Sequence, residues 1–127
     1  MFNLEEKYNL AVLARSRSYS PYSKFKVGAA LLCTDGTVFT GCNIENATYG
    51  ATNCAERTAI FKAVSEGQRE FEAIAIVSSG GVETFPCGIC RQVMAEFAPK
   101  LKIVLCDQNK NEHIYHLSEL LPKTFTL

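Results

Sequence analysis

The 127-residue chain has the length of one domain with one core, and hydrophobic residues, 47% of the total, can fill that core. Thirteen basic and thirteen acidic residues balance, and no basic stripe or run appears, which argues against a nucleic-acid partner. The apolar runs are too short for a membrane span and no basic-then-apolar leader opens the sequence, so we expect a cytoplasmic protein without a membrane partner.

The first third of the chain predicts a helix followed by a β-hairpin. Apolar residues at helical spacing indicate an amphipathic helix over residues 3–16. Alternating apolar residues then predict a strand over residues 25–33. Asp35-Gly36 predicts a two-residue hairpin turn into a return strand over residues 37–43.

The rest of the chain alternates predicted helices and strands. These elements are a helix at 54–65, a strand at 71–78, a helix from Pro86 or Cys87 to before Pro99, strands at 101–106 and 112–116, and a short helix at 118–121. The run at 71–78 is continuously β-rich, which is typical of a strand buried on both faces. The order predicts one domain over residues 1–127, an α/β fold of three layers (α/β/α) with a mixed, about five-stranded sheet and helices on both faces.

Six cysteines have two possible uses. Cys54 and the later pair Cys87 and Cys90 have the spacing of ligands to one metal ion, whereas three disulfides would suit a secreted scaffold. We favour the metal because no export leader is evident and the apolar content already suits a full core. Cys33 and Cys106 lie among apolar or strand-like neighbours, so we expect buried free thiols there.

The metal-binding cysteines predict an open zinc site. Cys87 and Cys90 lie one turn apart at the start of a predicted helix and Cys54 at the start of the preceding one, so both positive helix ends face the metal. Soft thiolates favour zinc, and three protein ligands leave a position for water, which is the mark of a catalytic zinc. A fourth protein ligand would instead close the site. Cys42 is the best candidate for that ligand, since His113 and His116 lie in a late predicted strand.

Glu56 and Arg57 follow the first predicted ligand directly. Glu56 can move a proton of the water, provided that Cys54 sits at the helix cap, because residues i and i+2 of a regular helix face nearly opposite sides. The alternative is an acid that stabilises the helix dipole. Arg57 can hydrogen-bond cysteine sulfur and offset the excess negative charge of three thiolates on zinc. The alternative is an arginine in solvent.

The chain resembles the small homotetrameric cytidine deaminases of pyrimidine nucleoside salvage over nearly all of its length. The segments that carry the resemblance are residues 19–25, 27–31, 41–47, 53–59 and 86–92. Many zinc deaminases share the cysteine and glutamate pattern of the last two segments. The Asn43-Ile44-Glu45-Asn46 segment and a cysteine as first ligand narrow the match. The resemblance implies one zinc per subunit and hydrolytic conversion of cytidine and deoxycytidine to uridine and deoxyuridine plus ammonia, in which zinc activates water for attack on C4 and Glu56 shuttles protons.

The resemblance also implies how a nucleoside is bound. Asn43 and Glu45 would hydrogen-bond the sugar 3′-hydroxyl, and Phe25 would pack against the pyrimidine. The backbone N–H of Ala55 would meet the 2-oxo group. From the residues alone, Phe25 also fits an ordinary strand core, and Asn43 and Glu45 also fit loop caps.

Two aromatic residues carry the expected link to other subunits. By the resemblance, Tyr49 and Phe125 would reach a neighbouring subunit's site, so that each site is complete only in the homotetramer. Phe125 also fits a mobile tail.

Several other functions share parts of the pattern. A deaminase for an aminonucleoside antibiotic such as blasticidin S shares the cysteine motifs, although residues 43–46 fit a simple nucleoside's sugar better. A deoxycytidylate deaminase would need a phosphate site, and its usual first ligand is histidine. Neutral charge and few spare loops disfavour a polynucleotide editor. A zinc-stabilised binding module would need a closed zinc and an incidental Glu56.

Overall fold

A mixed sheet of five strands forms the middle layer of the protein in the computed structural model, which describes residues 3–127. The strands are β1 (Val27–Cys33), β2 (Val38–Cys42), β3 (Phe71–Ser78), β4 (Lys102–Cys106) and β5 (Glu112–His116). Their order is β2-β1-β3-β4-β5, in which β3 and β4 are parallel and the other neighbouring pairs are antiparallel. The first two residues of the domain predicted over 1–127 lie outside the described residues.

Helices cover both faces of this sheet. In the described range they are α1 (Leu4–Arg15), α2 (Ala55–Ser65), α3 (Gly88–Phe97) and α4 (Leu117–Leu120), with a 3₁₀ turn at Tyr49–Ala51. On one face α1 packs through Ala11 against Ala75 and Val104, and on the other α2, α3 and α4 share a larger core with β1, β3 and β4. The predicted three-layer fold with a mixed sheet is confirmed. None of the helices described is long and apolar enough to cross a membrane.

Local sequence accounts for where several elements begin and end. The side chain of Asn3 caps α1 by accepting a hydrogen bond from Glu6 N at 2.8 Å. Gly67 follows α2 with φ +96°, a left-handed conformation that ends a helix at low cost. In β3, every residue from Ala73 to Ser78 is buried, as its continuous apolar run predicts.

Two glycines let helices lie directly on strands. A Cβ at Gly28 in β1 would lie 2.0 Å from the backbone oxygen of Ala11, so α1 rests on the strand itself. A Cβ at Gly41 in β2 would lie 2.5 Å from the backbone oxygen of Ala55, so the first turn of α2 does the same. These contacts fix the start of α2 over the sheet edge.

The hairpin between β1 and β2 differs from the prediction. Leu32 pairs with Val38, and Cys33 N donates to Thr37 O at 2.8 Å, which leaves a loop of three residues rather than two. Gly36 adopts φ +92° at the end of this loop, the position that a three-residue hairpin reserves for a left-handed residue. The predicted two-residue turn is therefore wrong.

Two predicted starting points also shift. The strand predicted over 25–33 begins at Val27, because the carbonyl of Phe25 accepts a hydrogen bond from the Asn43 side chain instead of from a strand. The third helix begins at Gly88, with Cys87 as its N-cap and Pro86 outside it. The proline thus precedes the helix instead of occupying its first turn.

Candidate active site

Three cysteine sulfurs meet where α2 and α3 begin. Cys54 and Cys87 are the N-cap residues of these helices, both with extended backbone angles, and Cys90 lies in the first turn of α3. The Cys87 Sγ lies 3.8 Å from the Cys54 Sγ and 3.5 Å from the Cys90 Sγ. The cap position of Cys54 is the one that its spacing from Glu56 requires.

The sulfur group has the dimensions of a zinc site. All three sulfurs lie within 4.8 Å of one another. A tetrahedral ion with Zn–S bonds of about 2.3 Å holds its sulfurs about 3.8 Å apart, close to the separations seen here. Within residues 3–127, this is the one group of His, Cys, Asp or Glu side chains whose ligand atoms approach closely enough to hold a metal ion, and it has three members. Three protein ligands are the number found in catalytic zinc sites.

The protonation of the sulfurs already favours a metal ligand. Hydrogen bonds from the Cys90 thiol and from Arg57 lower the pKa of the Cys54 thiol to about 5. The pKa of Cys90 is raised in turn, first because its proton is held in the bond to Cys54. Thiolate is the form that binds metal, so Cys54 is prepared for that role.

Arg57 points towards the sulfurs. Its Nη2 donates to the Cys54 Sγ at 3.1 Å. Its Nε is buried and has no hydrogen-bond partner in the described part of the chain. The side chain is half-buried, so the geometry places the guanidinium against a thiolate and disagrees with an arginine that extends into solvent.

Glu56 is a buried carboxyl group beside the same sulfurs. It is 4% exposed in the first turn of α2. Burial, with a further contribution from negative charge at Cys54, raises the pKa of Glu56 to about 7. A carboxyl group that only stabilised a helix dipole would be exposed and would keep an ordinary pKa. Its burial points instead to proton transfer.

Asn43 connects the segment before β1 to the segment after β2. Its Oδ1 accepts from Val27 N at 2.9 Å and from the Ser18 hydroxyl, and its Nδ2 donates to Phe25 O at 2.8 Å. An amide side chain can make four hydrogen bonds, two through each polar atom. One Nδ2 hydrogen therefore remains for a ligand.

Glu45 is held in a similar way by the turn at residues 21–24. Its Oε1 accepts from Tyr22 N at 2.9 Å and from Ser23 N at 3.1 Å, and its Oε2 accepts from the Ser23 hydroxyl. The bond from the Ser23 side chain is the largest cause of the lowered pKa of Glu45. The carboxylate keeps one acceptor position on Oε2.

Ile44, between these two residues, ties them to the first ligand. It pairs with Tyr19 on one side and with Asn53 on the other, and Asn53 directly precedes Cys54. The loop with Asn43 and Glu45 is thereby fixed next to the start of α2.

Phe25 and Ala55 border the same region. Phe25 is 39% exposed, and a Cβ at Gly80 would lie 3.0 Å from its ring, so Phe25 lies on the surface by the loop after β3 and outside the strand core. Ala55 is the first residue of α2 and fully buried. The N–H groups of a first helical turn have no partner within the helix, which makes that of Ala55 a donor for a ligand.

Comparison with known proteins identifies the family. A profile described as the cytidine and deoxycytidylate deaminase zinc-binding region matches residues 1–106. The chain belongs to this family. It is 55% identical to a cytidine deaminase of Halalkalibacterium halodurans over 91% of this chain and 89% of that protein. Zinc is therefore the metal of the cysteine group, and the chain is a zinc-dependent hydrolase of the deaminase family.

Solved structures give the same family fold. A cytidine deaminase from Burkholderia pseudomallei superposes with a TM-score of 0.88 at 50% identity and covers 92% of this chain and 94% of that one. A cytidine deaminase from Mycobacterium tuberculosis gives a TM-score of 0.84 at 40% identity and covers 98% of both chains. The cytidine deaminase-like fold predicted from sequence is confirmed.

The two aromatic residues expected to reach another subunit of this deaminase lie outside the sulfur site. Tyr49 is 77% exposed, and its ring meets that of Tyr22 edge to face at 6.3 Å between centroids. Phe125 is 69% exposed, and its backbone is tied to α3, because its N–H and C=O both bond the Gln92 side chain, at 3.3 and 2.9 Å.

The remaining cysteines and histidines take no part in the sulfur group. All six cysteines are free thiols in the described chain, and Cys33 and Cys106 are buried, as predicted. The metal-capable group contains neither Cys42 nor either histidine. The two histidines have other partners: His113 lies between Glu83 and Asp107, at 3.2 and 3.4 Å, and His116 is the N-cap of α4.

Sequence reasoning missed the contacts that hold the site in place. Arg91 donates to Pro86 O at 2.7 Å and to Leu120 O at 2.8 Å. Ser18 and Ser23 hold Asn43 and Glu45. The position of Arg91 directly after Cys90 is a signal that the sequence does contain. Its acceptors are backbone carbonyl groups, which no residue type identifies.

Proposed function

We propose that the protein catalyses hydrolytic deamination of cytidine and deoxycytidine to uridine and deoxyuridine with release of ammonia. The observation that carries the proposal is the buried Glu56 beside a group of three cysteine sulfurs with the dimensions of a catalytic zinc site. The family and the activity named for its relatives from H. halodurans and B. pseudomallei support it. Such a reaction belongs to cytoplasmic pyrimidine nucleoside salvage.

The chemistry divides between the metal and Glu56. When bound, zinc supplies a Lewis acid that lowers the pKa of water to about 7. Glu56 accepts a proton from the attacking water and gives it to ring N3 as the C4–O bond forms. Glu56 then takes the remaining proton from the new C4 hydroxyl and gives it to the amino group; the C4–N bond breaks, the C4 carbonyl forms and ammonia leaves. Because burial holds the pKa of Glu56 at about 7, the carboxyl group can both accept and release a proton near neutral pH.

Arg57 assists by holding charge. Three thiolates carry more negative charge than the zinc ion can cancel, which weakens the ion as a Lewis acid. The guanidinium of Arg57 at 3.1 Å from the Cys54 sulfur draws some of that charge away. The positive ends of α2 and α3 act in the same direction.

The open groups of the 43–45 loop suit a sugar hydroxyl. A hydroxyl group offers one donor and accepts through its oxygen. Asn43 has one Nδ2 hydrogen left to donate, and Glu45 has one Oε2 position left to accept. This complementary pair would hold the 3′-hydroxyl, while Phe25 packs on the pyrimidine and the Ala55 N–H meets its 2-oxo group.

We also propose a homotetramer in which Tyr49 and Phe125 complete a neighbouring site. Both rings are largely exposed, so they are accessible to another subunit. Phe125 lines a groove of about 650 Å³ formed by apolar and polar residues of α2, α3 and the tail, among them Phe61, Ile89 and Glu96. Sedimentation should give four chains per particle, and a monomer that turns over cytidine normally would contradict the shared site.

The first experiment follows the ultraviolet spectrum of cytidine with zinc-loaded protein. Wild type should convert it to the uridine spectrum. Glu56→Gln, which keeps shape but not the exchangeable carboxyl, should retain zinc and lose about 10²–10⁴-fold in kcat. Blasticidin S serves as a parallel substrate. Conversion of blasticidin S and not cytidine, by a folded and zinc-loaded protein, would overturn the nucleoside proposal, and normal turnover by Glu56→Gln would overturn the shuttle.

A further inference from the structure

Of the three cysteine ligands, Cys87 has the fewest contacts that hold its side chain in place. It is exposed, whereas Cys90 is buried inside α3 and Cys54 accepts a hydrogen bond from Arg57. As N-cap of α3, Cys87 makes no side-chain capping bond. The next residue, Gly88, has open space where a side chain would be. Something other than packing must therefore hold this ligand.

Arg91 bonds the backbone on both sides of that ligand. Its Nε donates to Pro86 O at 2.7 Å, and its backbone N donates to Cys87 O at 3.0 Å. A second arm of the guanidinium, Nη1, donates to Leu120 O at 2.8 Å at the end of α4. The side chain is half-buried, so water competes only weakly for these acceptors.

We infer that Arg91 is a positioning residue for the zinc site, which acts through Cys87 without touching the metal. Because a peptide unit is planar, a fixed Pro86 oxygen fixes the direction from which the chain enters Cys87. The extended conformation of Cys87 then places its sulfur near the two other sulfurs. The arm to Leu120 anchors this turn to the segment that follows β5.

Zinc affinity tests the inference directly. Arg91→Ala should weaken zinc binding about 10–100-fold, measured by competition with a chromogenic chelator, as is typical when a partner behind a ligand is lost. The zinc affinity of Arg91→Lys should lie between those of wild type and Arg91→Ala, because the lysine ammonium cannot span two carbonyl groups as the planar guanidinium does. Arg69→Ala is the matched control, because Arg69 also donates to two backbone carbonyls, Val64 O and Gln68 O, at the far end of α2. Arg69→Ala should bind zinc like wild type.

A spectroscopic measurement separates positioning from general stability. With cobalt in place of zinc, Arg91→Ala should show a weaker thiolate-to-cobalt charge-transfer band, and Arg69→Ala an unchanged one. Wild-type zinc affinity and cobalt spectrum in Arg91→Ala would overturn the inference. An equal loss of Tm with and without zinc, at unchanged affinity, would also overturn it by showing a purely structural role. If Arg91→Ala does not fold, Arg91→Lys decides by the same criteria.

The inference deepens the proposed function. It rests on that function only for the statement that the bound zinc is used in catalysis. The affinity and the cobalt spectrum are measured without substrate. If Arg91→Ala binds zinc more weakly while zinc-loaded wild type does not convert cytidine, the positioning role of Arg91 stands and the proposed reaction is refuted.

Discussion

Replacing Asn43 by alanine should destabilise the protein as well as weaken catalysis. The substitution removes the acceptor of Val27 N and the donor to Phe25 O, two bonds that hold the entry to β1. The substitution also removes the bond from the Ser18 hydroxyl to Asn43 Oδ1. That hydroxyl keeps two other acceptors at 3.2 Å, the Asn43 carbonyl and the Ser20 hydroxyl, so its loss adds little to the free energy of unfolding. At about 0.5–1.5 kcal/mol per hydrogen bond, the loss amounts to about 1–3 kcal/mol in the free energy of unfolding.

Urea unfolding of zinc-loaded protein measures this loss. Protein and zinc concentrations are held constant, because association and metal binding both shift apparent stability. Asn46→Ala is the matched control: Asn46 lies in the same loop, and its exposed side chain accepts one local bond, from Thr48 N at 2.8 Å. We expect the control to lose about half as much as Asn43→Ala, since it removes one hydrogen bond and not two.

The same variant separates two roles of Asn43. A lower kcat/KM for cytidine is expected as well, since the remaining Nδ2 hydrogen is lost. If Asn43→Ala unfolds at the same urea concentration as Asn46→Ala and wild type while kcat/KM falls, the internal hydrogen bonds do not stabilise the fold. The side chain would then serve the substrate alone.

Three further predictions address packing, charge and metal. Gly28→Ala should cost at least about 1–3 kcal/mol in urea unfolding, because its Cβ would meet Ala11 O at 2.0 Å, whereas Gly88→Ala, with open space around it, should cost little. Arg57→Ala should lower zinc affinity or kcat about 10–100-fold, and unchanged zinc content with unchanged turnover would refute charge compensation. Chelation should abolish turnover and lower Tm, and added zinc should restore both; a Tm indifferent to zinc would show that the metal does not support the fold.

The fold was predictable where one stretch of sequence determines an element. The continuous run Ile74-Ala75-Ile76-Val77 predicted a strand covered on both faces, because such a run is stable only there. β3 is that strand, with the predicted bounds. The Cys54 spacing to Glu56 required a helix cap, and the backbone angles at Cys54 are those of a cap. In both cases the physical constraint lies within a few residues of chain.

Contacts between distant segments explain what the sequence did not indicate. Alternation at Val27, Ala29 and Leu31 predicted a strand but not the burial of the residues between them. All residues of β1 are buried, and α1 lies against Gly28. A glycine in a strand is a weak sign of such an approach, since bulges and bends use it too.

The hydrogen bonds that position the zinc ligands are a second example of contacts that the sequence does not indicate. Cysteine spacing predicted which sulfurs meet, because ligands need particular side chains. Arg91 instead uses the carbonyl groups of Pro86 and Leu120, and every residue offers a carbonyl, so no residue type marks the acceptor. A substitution at Leu120 would leave the acceptor in place, whereas a shift of the backbone there would remove it. The site therefore depends on the path of the chain after β5, which a pattern of side chains does not record.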